Sequence, residues 1–444
     1  MEAATKRARS AGGSAARDWL SGLPDDLLLC VLSFLPTRQV VWTTLLSKRW
    51  VDLWRLVPAI NLRIRDFGWQ KMKDFTTNLL MLHNAECLDV FKLAIVFIRE
   101  DTRKFADRWI RHGLEYNPVV LDVTVPNSRR SYQSHFPGLG SSLSRLKKLA
   151  LTGMHLDHSF AKQISSGCPV LEDLVLRECR NEFPAIQSDT LKSLVVRYCT
   201  SETADALLIR APALSSMRLH FPHYNYKNVA SLEAGHSLVR ASISLIDGNV
   251  SQGGEIEMLR SLFNVTSLEL EHRFSAKAVL DLDKEFGELP IFHNMRTLSF
   301  NYCFYSECDV HKFKALGRFL HMCPTLEKLT LKGFRVKPVI GPIEFPMLQN
   351  LRTLFLDECD LRDKYRLLRH FLENTPNLEK LTIRICKLPG TSNGDEGIDM
   401  HFQCQNLKST EIIYKKCGKI PELVSILLDI SGPAPNNTIT LTKF

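Results

Sequence analysis

The sequence predicts an α/β chain: a small N-terminal three-helix unit, then a long solenoid with a curved parallel sheet inside and helices outside. Three observations predict it. A phrase of three apolar positions, the second three and the third five residues after the first, recurs through most of the 444 residues. Segments with core-facing helical spacing lie between its copies, and a stretch near the N-terminus is punctuated as short helices yet is too apolar to stand alone. At 45% hydrophobic and 24% charged the chain is apolar enough to bury a large core, so it should fold.

Met1 to Arg17 carries Lys6, Arg7, Arg9 and Arg17 among Ala, Gly and Ser, and reads as a disordered basic tail. Its Lys6-Arg7-Ala8-Arg9 has the composition of a short nuclear import signal. It lacks the apolar segment of a secretion signal, and no apolar run approaches the roughly 18 residues of a membrane-spanning helix. The expectation is a soluble intracellular protein of nucleus or cytoplasm, its twelve cysteines reduced. The charge balance of 57 basic against 48 acidic residues, +9, is spread thinly, which supports a mild preference for an acidic partner and excludes a nucleic-acid groove as an expectation.

From Trp19 to Trp54 the punctuation is that of three helices. Pro24 suits a first helical turn, Asp25 and Asp26 sit at the positive end of the helix dipole, and Pro36 stops the run. Thr37 can cap a second helix and Ser47 a third that carries Trp50 and Trp54. Leu28, Val31, Leu32 and Leu35 follow helical spacing, but Leu27, Leu29, Cys30 and Phe34 make the other sides apolar too. A unit this small cannot bury all of that internally, so the surplus implies a partner.

Leu23-Pro24-Asp25-Asp26-Leu27 through Leu35-Pro36, followed by Leu45-Leu46-Ser47-Lys48-Arg49-Trp50, resembles the F-box of plant F-box proteins that also carry leucine-rich repeats. The resemblance implies docking to a Skp-type adaptor, and through it to a cullin scaffold and a ubiquitin-conjugating enzyme. Carried over by motif position, Leu23, Pro24, Leu28, Val31, Leu32, Leu35, Pro36 and Trp50 are the residues expected to dock the adaptor or shape the docking face. The motif does not separate these two roles.

In the body the phrase L-x-x-L-x-L starts at Leu146, Leu171, Leu191, Leu214, Leu238, Val265, Met295, Leu326, Leu351, Leu378 and Leu407, spaced 20 to 31 residues apart. That is the leucine-rich-repeat range, slightly exceeded. Upstream, Val120/Val123/Val125 fits as well, and Val90/Leu93/Ile95 and Ala59/Leu62/Ile64 fit more loosely. Helical spacing is read at Met72, Phe75, Leu79; Ile256, Leu259, Phe263; Phe313, Leu316, Leu320; Tyr365, Leu368, Leu372; and Leu423, Ile426, Leu427, Ile430. Cys179, Cys199, Cys303, Cys359 and Cys386 each fall eight residues after the first position of their repeat, where a small, weakly polar side chain fits the turn after the strand. Phe402 to Phe444 resembles the FBD-type region that follows the repeats in plant F-box proteins, and is expected to cap the solenoid and hide its last open edge. The expected units are therefore 1–17 tail, 18–58 F-box, 59–401 repeats and 402–444 FBD-like cap.

No P-loop, H-E-x-x-H or G-x-S-x-G occurs, no C-x-x-C pair suggests zinc, and His155/His158 and His220/His223 read as surface loop residues. No cofactor and no catalysis are expected. The reading is a substrate receptor of an SCF-type ligase, with a non-ligase adaptor-docking scaffold or a small-molecule co-receptor as alternatives. Positions two, four and six of nine repeats carry eight cations against four acids, so the concave face should hold an acidic or phosphorylated protein segment. Arg197, Arg218, Lys332, Phe355 and Arg384 are the candidate contacts.

Overall fold

The computed structural model describes residue 20 and residues 22–444, except 96–99, 126–133, 139–142, 202–206, 222–230, 234–236, 246–251, 273, 281–290, 305–308, 336–344, 363, 390–403, 416–419 and 431–436. The basic tail with its Lys6-Arg7-Ala8-Arg9 cluster, together with His223, lies outside the described residues.

Fifteen parallel strands form one sheet, each paired with the next repeat's strand, from Ala59–Arg63 at one edge to Thr438–Lys443 at the other. The register is uniform: Leu174 and Leu176 stand beside Leu194 and Val196, which stand beside Met217 and Leu219. The side-chain period of two then sends the last two positions of the phrase into one continuous core and the alternate residues to the concave surface.

The first three repeats are phased two residues earlier than their sequence suggests. Ala59, Val90 and Val120 are in register with Lys148, the second residue after Leu146. The buried pairs are thus Ile60/Leu62, Phe91/Leu93 and Leu121/Val123. The mismatch arose because the buried stripe runs on to Ile95 and Val125, which imitate the phrase two residues late.

Helices and strands do not alternate throughout. Helices Trp69–Leu82, Asp309–His321, Arg366–Glu373 and Ile420–Ile430 fall where the spacing placed them, and Glu100–Glu115 and His158–Gly167 add two more. Phe263 lies beyond the end of helix Gln252–Ser261 and is exposed. Between Arg177 and Leu245 the outer side of the described repeats carries short strands instead, Ala185–Gln187, Leu208–Arg210 and Ser231–Glu233, which form their own three-stranded sheet. Repeat length explains this. The repeats starting at Leu171, Leu191 and Leu214 are 20, 23 and 24 residues long, and the 27-residue repeat from Leu238 restores a helix. Eight or more helical residues need the extra chain to travel out and back.

Each repeat turns at the end of its strand in the same way. Glu178, Tyr198, His272, Tyr302, Glu358 and Ile385 take φ between 51° and 57°, with Gly153 and Gly333 at equivalent places. A left-handed residue costs about 1 kcal/mol without glycine. The turn brings the next residue inward. The thiols of Cys179, Cys303, Cys359 and Cys386 donate to the Leu151, Leu270, Leu331 and Leu356 carbonyls of the preceding strand at 3.5, 3.0, 3.3 and 3.5 Å. Cys179 and Cys359 are buried and Cys303 and Cys386 half-buried, and all four tie each repeat to the one before; burial at Cys303, and the Cys359 thiol followed by burial at Cys386, raise the pKa far above the ordinary value and keep both as thiols.

One buried acid sets a pH dependence. Glu255 is buried on helix Gln252–Ser261, accepts a hydrogen bond from the Ser275 amide at 3.3 Å, and burial raises its pKa from 4.5 to about 7. Between these two values the folded chain holds a proton that the unfolded chain has lost, so stability falls as pH rises through that window. Glu255→Gln should abolish this fall and be more stable than the parent by about 2–3 kcal/mol at about pH 8, with little difference at about pH 4. Denaturant midpoints at both pH values check it.

Candidate functional site

Two surfaces stand out, the N-terminal helices and the concave face. The helices α1 (Asp25–Ser33), α2 (Thr37–Trp42) and α3 (Trp50–Leu53) close around Leu28, Leu32, Val40, Trp50 and Leu53, with Leu23 and Leu35 packed against them. Pro24 and Pro36 sit at the N-caps of α1 and α2. Arg49 holds the unit shut: its Nε donates to Asp25 at 2.9 Å and its guanidinium also reaches the Leu23 carbonyl. Here lies the use of the Ser47-Lys48-Arg49-Trp50 run, in which Arg49 ties α3 to the start of α1 and Trp50 fills the core.

The core fills from one stripe and leaves another outside. On α1 Leu28 and Leu32 are buried, whereas Leu27, Val31 and Phe34, at i, i+4 and i+7, form an exposed stripe in which Phe34 is 82% exposed. Trp42, Leu46 and Leu45, the last 86% exposed, add to it. Of the eight motif residues, Leu28, Leu32 and Trp50 are therefore buried internal supports, while Pro24 and Val31 are exposed. The exposed Leu27, Phe34, Leu45 and Leu46 were not among the eight motif residues. Their signal was the very surplus of apolar residues on the wrong sides of α1.

The unit is fastened to the repeats. Thr37 accepts a hydrogen bond from the Asn61 amide on the first strand at 2.6 Å, and Val57 and Ala59 belong to the core of the helical unit. Arg38 donates to the Asp66 carbonyl while its guanidinium lies 4.5 Å from the Trp42 ring and 5.0 Å from that of Phe67.

On the concave face the five named residues fall into two groups. Arg197 and Arg218 lie on adjacent strands, with Arg177 beside Arg197 in register. Neither Arg197 nor Arg218 is paired with an acid among the described residues, and Arg197 lies 5.6 Å from the Tyr198 ring. Behind them His220 is buried, its ring 4.1 Å from that of Tyr198. Burial and the Arg197 charge lower its pKa to about 4, so it is neutral at physiological pH.

Lys332, Phe355 and Arg384 form the second group, four to six strands further on. They surround a buried acid. Asp357, 1% exposed, accepts from Arg384 Nε at 2.8 Å and lies 3.6 Å from Lys332, and the Arg384 guanidinium sits 5.4 Å from the Phe355 ring. Tyr302 donates to Glu358 at 2.9 Å and lies beneath Lys332. Gly333 makes room for it, since a Cβ there would come within 2.2 Å of the Tyr302 ring. Between the groups run Glu269 and Glu271, which accept from Asn301 at 2.9 and 3.4 Å. The face is thus not one basic field. Arg384 and Lys332 are committed to Asp357, whereas Arg177, Arg197 and Arg218, without such a partner among the described residues, stand together on three adjacent strands.

The histidines differ from their sequence reading too. His155 is buried on the short strand Met154–Leu156, its Nδ1 2.6 Å from that of His135 and its Nε2 2.8 Å from Glu182, and of the described members of the two pairs only His158 is exposed. No group of three metal-ligating side chains that could hold an ion is found among the described residues, nor any helix long and apolar enough to cross a membrane.

Because Asp357 holds two cations, Asp357→Asn should destabilise the chain by about 3 kcal/mol, as breaking a buried pair does. Arg384→Met should also lower the denaturant midpoint. A folded Asp357→Asn chain with an unchanged midpoint would contradict this pairing.

Comparison with known proteins agrees with this geometry. Residues 20–59 match the F-box domain, and residues 125–236 match the leucine-rich repeats of the FBD-associated F-box protein At5g56370 family. The chain is 27% identical to the MEIOTIC F-BOX protein MOF of Oryza sativa subsp. japonica, over 89% of this chain and 80% of that protein. It is also 27% identical to the F-box/FBD/LRR-repeat protein At1g78750 of Arabidopsis thaliana, over 96% of this chain and 98% of that protein. A third relative, the F-box/FBD/LRR-repeat protein At5g56420 of Arabidopsis thaliana, is 32% identical over 46% of this chain and 49% of its own length. With three helices sealed onto a parallel repeat sheet, the chain carries a match to the F-box domain at its N-terminus and to FBD-associated leucine-rich repeats in its body, and it is similar along most of its length to plant F-box/FBD/LRR-repeat proteins.

Proposed function

We propose that the chain is the substrate-receptor subunit of an SCF-type ubiquitin ligase, docking a Skp-type adaptor through α1 and the Leu45–Leu46 turn. The carrying observation is the exposed stripe Leu27, Val31 and Phe34 on a helix whose opposite side already fills the unit's core. Side chains of this size left in water stand to gain about 1.5–3 kcal/mol each on burial, which an adaptor groove would supply. The chain does no chemistry in this reading. It raises the local concentration of a bound protein's lysines near a conjugating enzyme carried by the cullin, and the hydrogen bond from Asn61 to Thr37 keeps the two ends of that arrangement in fixed relation.

The bound protein would present an acidic or phosphorylated segment to Arg177, Arg197 and Arg218. These sit on three consecutive strands about 4.8 Å apart, close enough for one short anionic segment to reach all three. Lys332 and Arg384 would support the Phe355 surface rather than meet the anion, being held by Asp357.

The double variant Phe34→Asp, Leu45→Asp should lose adaptor and cullin in co-purification, at least tenfold in affinity, with an unchanged circular dichroism spectrum because neither side chain is in the core. Retained adaptor binding by the folded variant would overturn the docking face. Adaptor without cullin in the parent would instead favour a non-ligase scaffold. Arg197→Glu with Arg218→Glu should cut recovery of proximity-labelled substrate at least tenfold and leave the adaptor bound; recovery equal to the parent's would place the substrate elsewhere.

A further inference from the structure

The two edges of the fifteen-stranded sheet are treated differently. At the N-terminal edge, Ala59–Arg63 is covered by the F-box: Asn61 donates to Thr37, and Ala59 is buried in the helical unit's core. The tail was expected to hide the other edge. Instead its last strand, Thr438–Lys443, is the edge: it pairs with Ser409–Tyr414 on one side and with no described strand on the other.

That strand carries none of the usual protection. It is six residues long, contains no proline, and has a single charge at its very end, Lys443. The amides of Thr438 and Phe444 donate inward, to the carbonyls of Lys408 and Tyr414, at 2.9 and 2.8 Å. Peptide groups alternate along a strand, so the N–H and C=O of Ile439, Leu441 and Lys443 face the open side. Leu441 is 49% exposed although it occupies a core-side position in register with Ile412, and Leu428 and Phe444 are exposed as well.

The sequence of the strand names its occupant. Thr438-Ile439-Thr440-Leu441-Thr442 reads nearly the same in both directions about Thr440. In an antiparallel pair of two such strands centred there, Thr438 meets Thr442, Ile439 meets Leu441, and Thr440 meets itself. Threonines then face threonines on the concave side, and apolar side chains face each other on the core side. Ile439 and Leu441 form hydrogen-bonded pairs using the groups that face outward, and Thr440 forms the non-hydrogen-bonded pair on the axis. Moving the axis to Leu441 would put Lys443 against Ile439, and moving it to Ile439 would put Asn437 against Leu441. A shift to an axis between residues would oppose threonine to apolar positions on every step.

We propose that Thr438–Lys443 is a self-association edge, through which two copies of this chain join antiparallel about a two-fold axis at Thr440 and continue one sheet into the other. This is independent of the ligase reading. The interface is a single strand pair with flanking apolar side chains, so the dimer is concentration-dependent and of the weak class.

Sedimentation of the full chain over the range from about 1 to about 100 μM should show monomer passing to dimer. Leu441→Pro removes an outward N–H and leaves the ladder to Ser409–Tyr414 intact, so it should stay monomeric with the parent's melting temperature. Thr440→Cys should cross-link under mild oxidation where the parent does not, because non-hydrogen-bonded antiparallel pairs hold Cα atoms about 4.5 Å apart, within disulfide reach. A parent that is monomeric throughout, a dimer that survives Leu441→Pro, or a Thr440→Cys chain that dimerises without cross-linking would each overturn the proposal.

Discussion

Every repeat in this molecule depends on its neighbours to cover the apolar stripe it cannot cover itself. The in-register parallel ladder is what makes that cover continuous: a strand displaced by one residue would present its concave side to the core and its leucines to water. The cysteine bonds to the preceding strand, the left-handed turns and the uniform pairing all serve this one alignment. Its unavoidable cost is a pair of ends, since a stack of dependent units has no natural place to stop.

The N-terminal end shows how one solution serves two purposes. The F-box is a lid for the first strand and, in the proposed reading, a docking module at once: the helix that offers Thr37 to Asn61 of the first strand belongs to the same unit that exposes Phe34 to the outside. A flexible linker would have left the first strand open and allowed the two modules to drift. The shared core, with Trp54 and Val90 packed against it, replaces that linker with a joint that has little freedom.

Much of this was legible in the sequence, and the failures share a cause. The phrase, the cysteines eight residues on and the three-helix punctuation are local patterns imposed by periodicity, and periodicity survives in one dimension. What was missed needs a neighbour. The burial of Leu28 against the exposure of Leu27 depends on where α3 packs, and the commitment of Arg384 depends on Asp357 sitting one strand away and 27 residues earlier. Among the described residues between Arg177 and Leu245 no helix occurs; helices were expected there, although the short spacing of those repeats already held the signal against them. The early phase error came from Ile95 and Val125 prolonging the buried stripe beyond the phrase.

The left-handed residue at the end of each strand has a consequence of another kind. Glu178, Tyr198, His272, Tyr302 and Glu358 stand at one height along the rim, each aimed by a turn whose geometry is set by the backbone and by the cysteine or its equivalent below. None of these side chains belongs to the hydrophobic core cluster. They amount to a keyboard laid over a fixed frame, where the character at each place can be exchanged without retuning the instrument, so that a change of partner and a change of stability are, at this row, separate events.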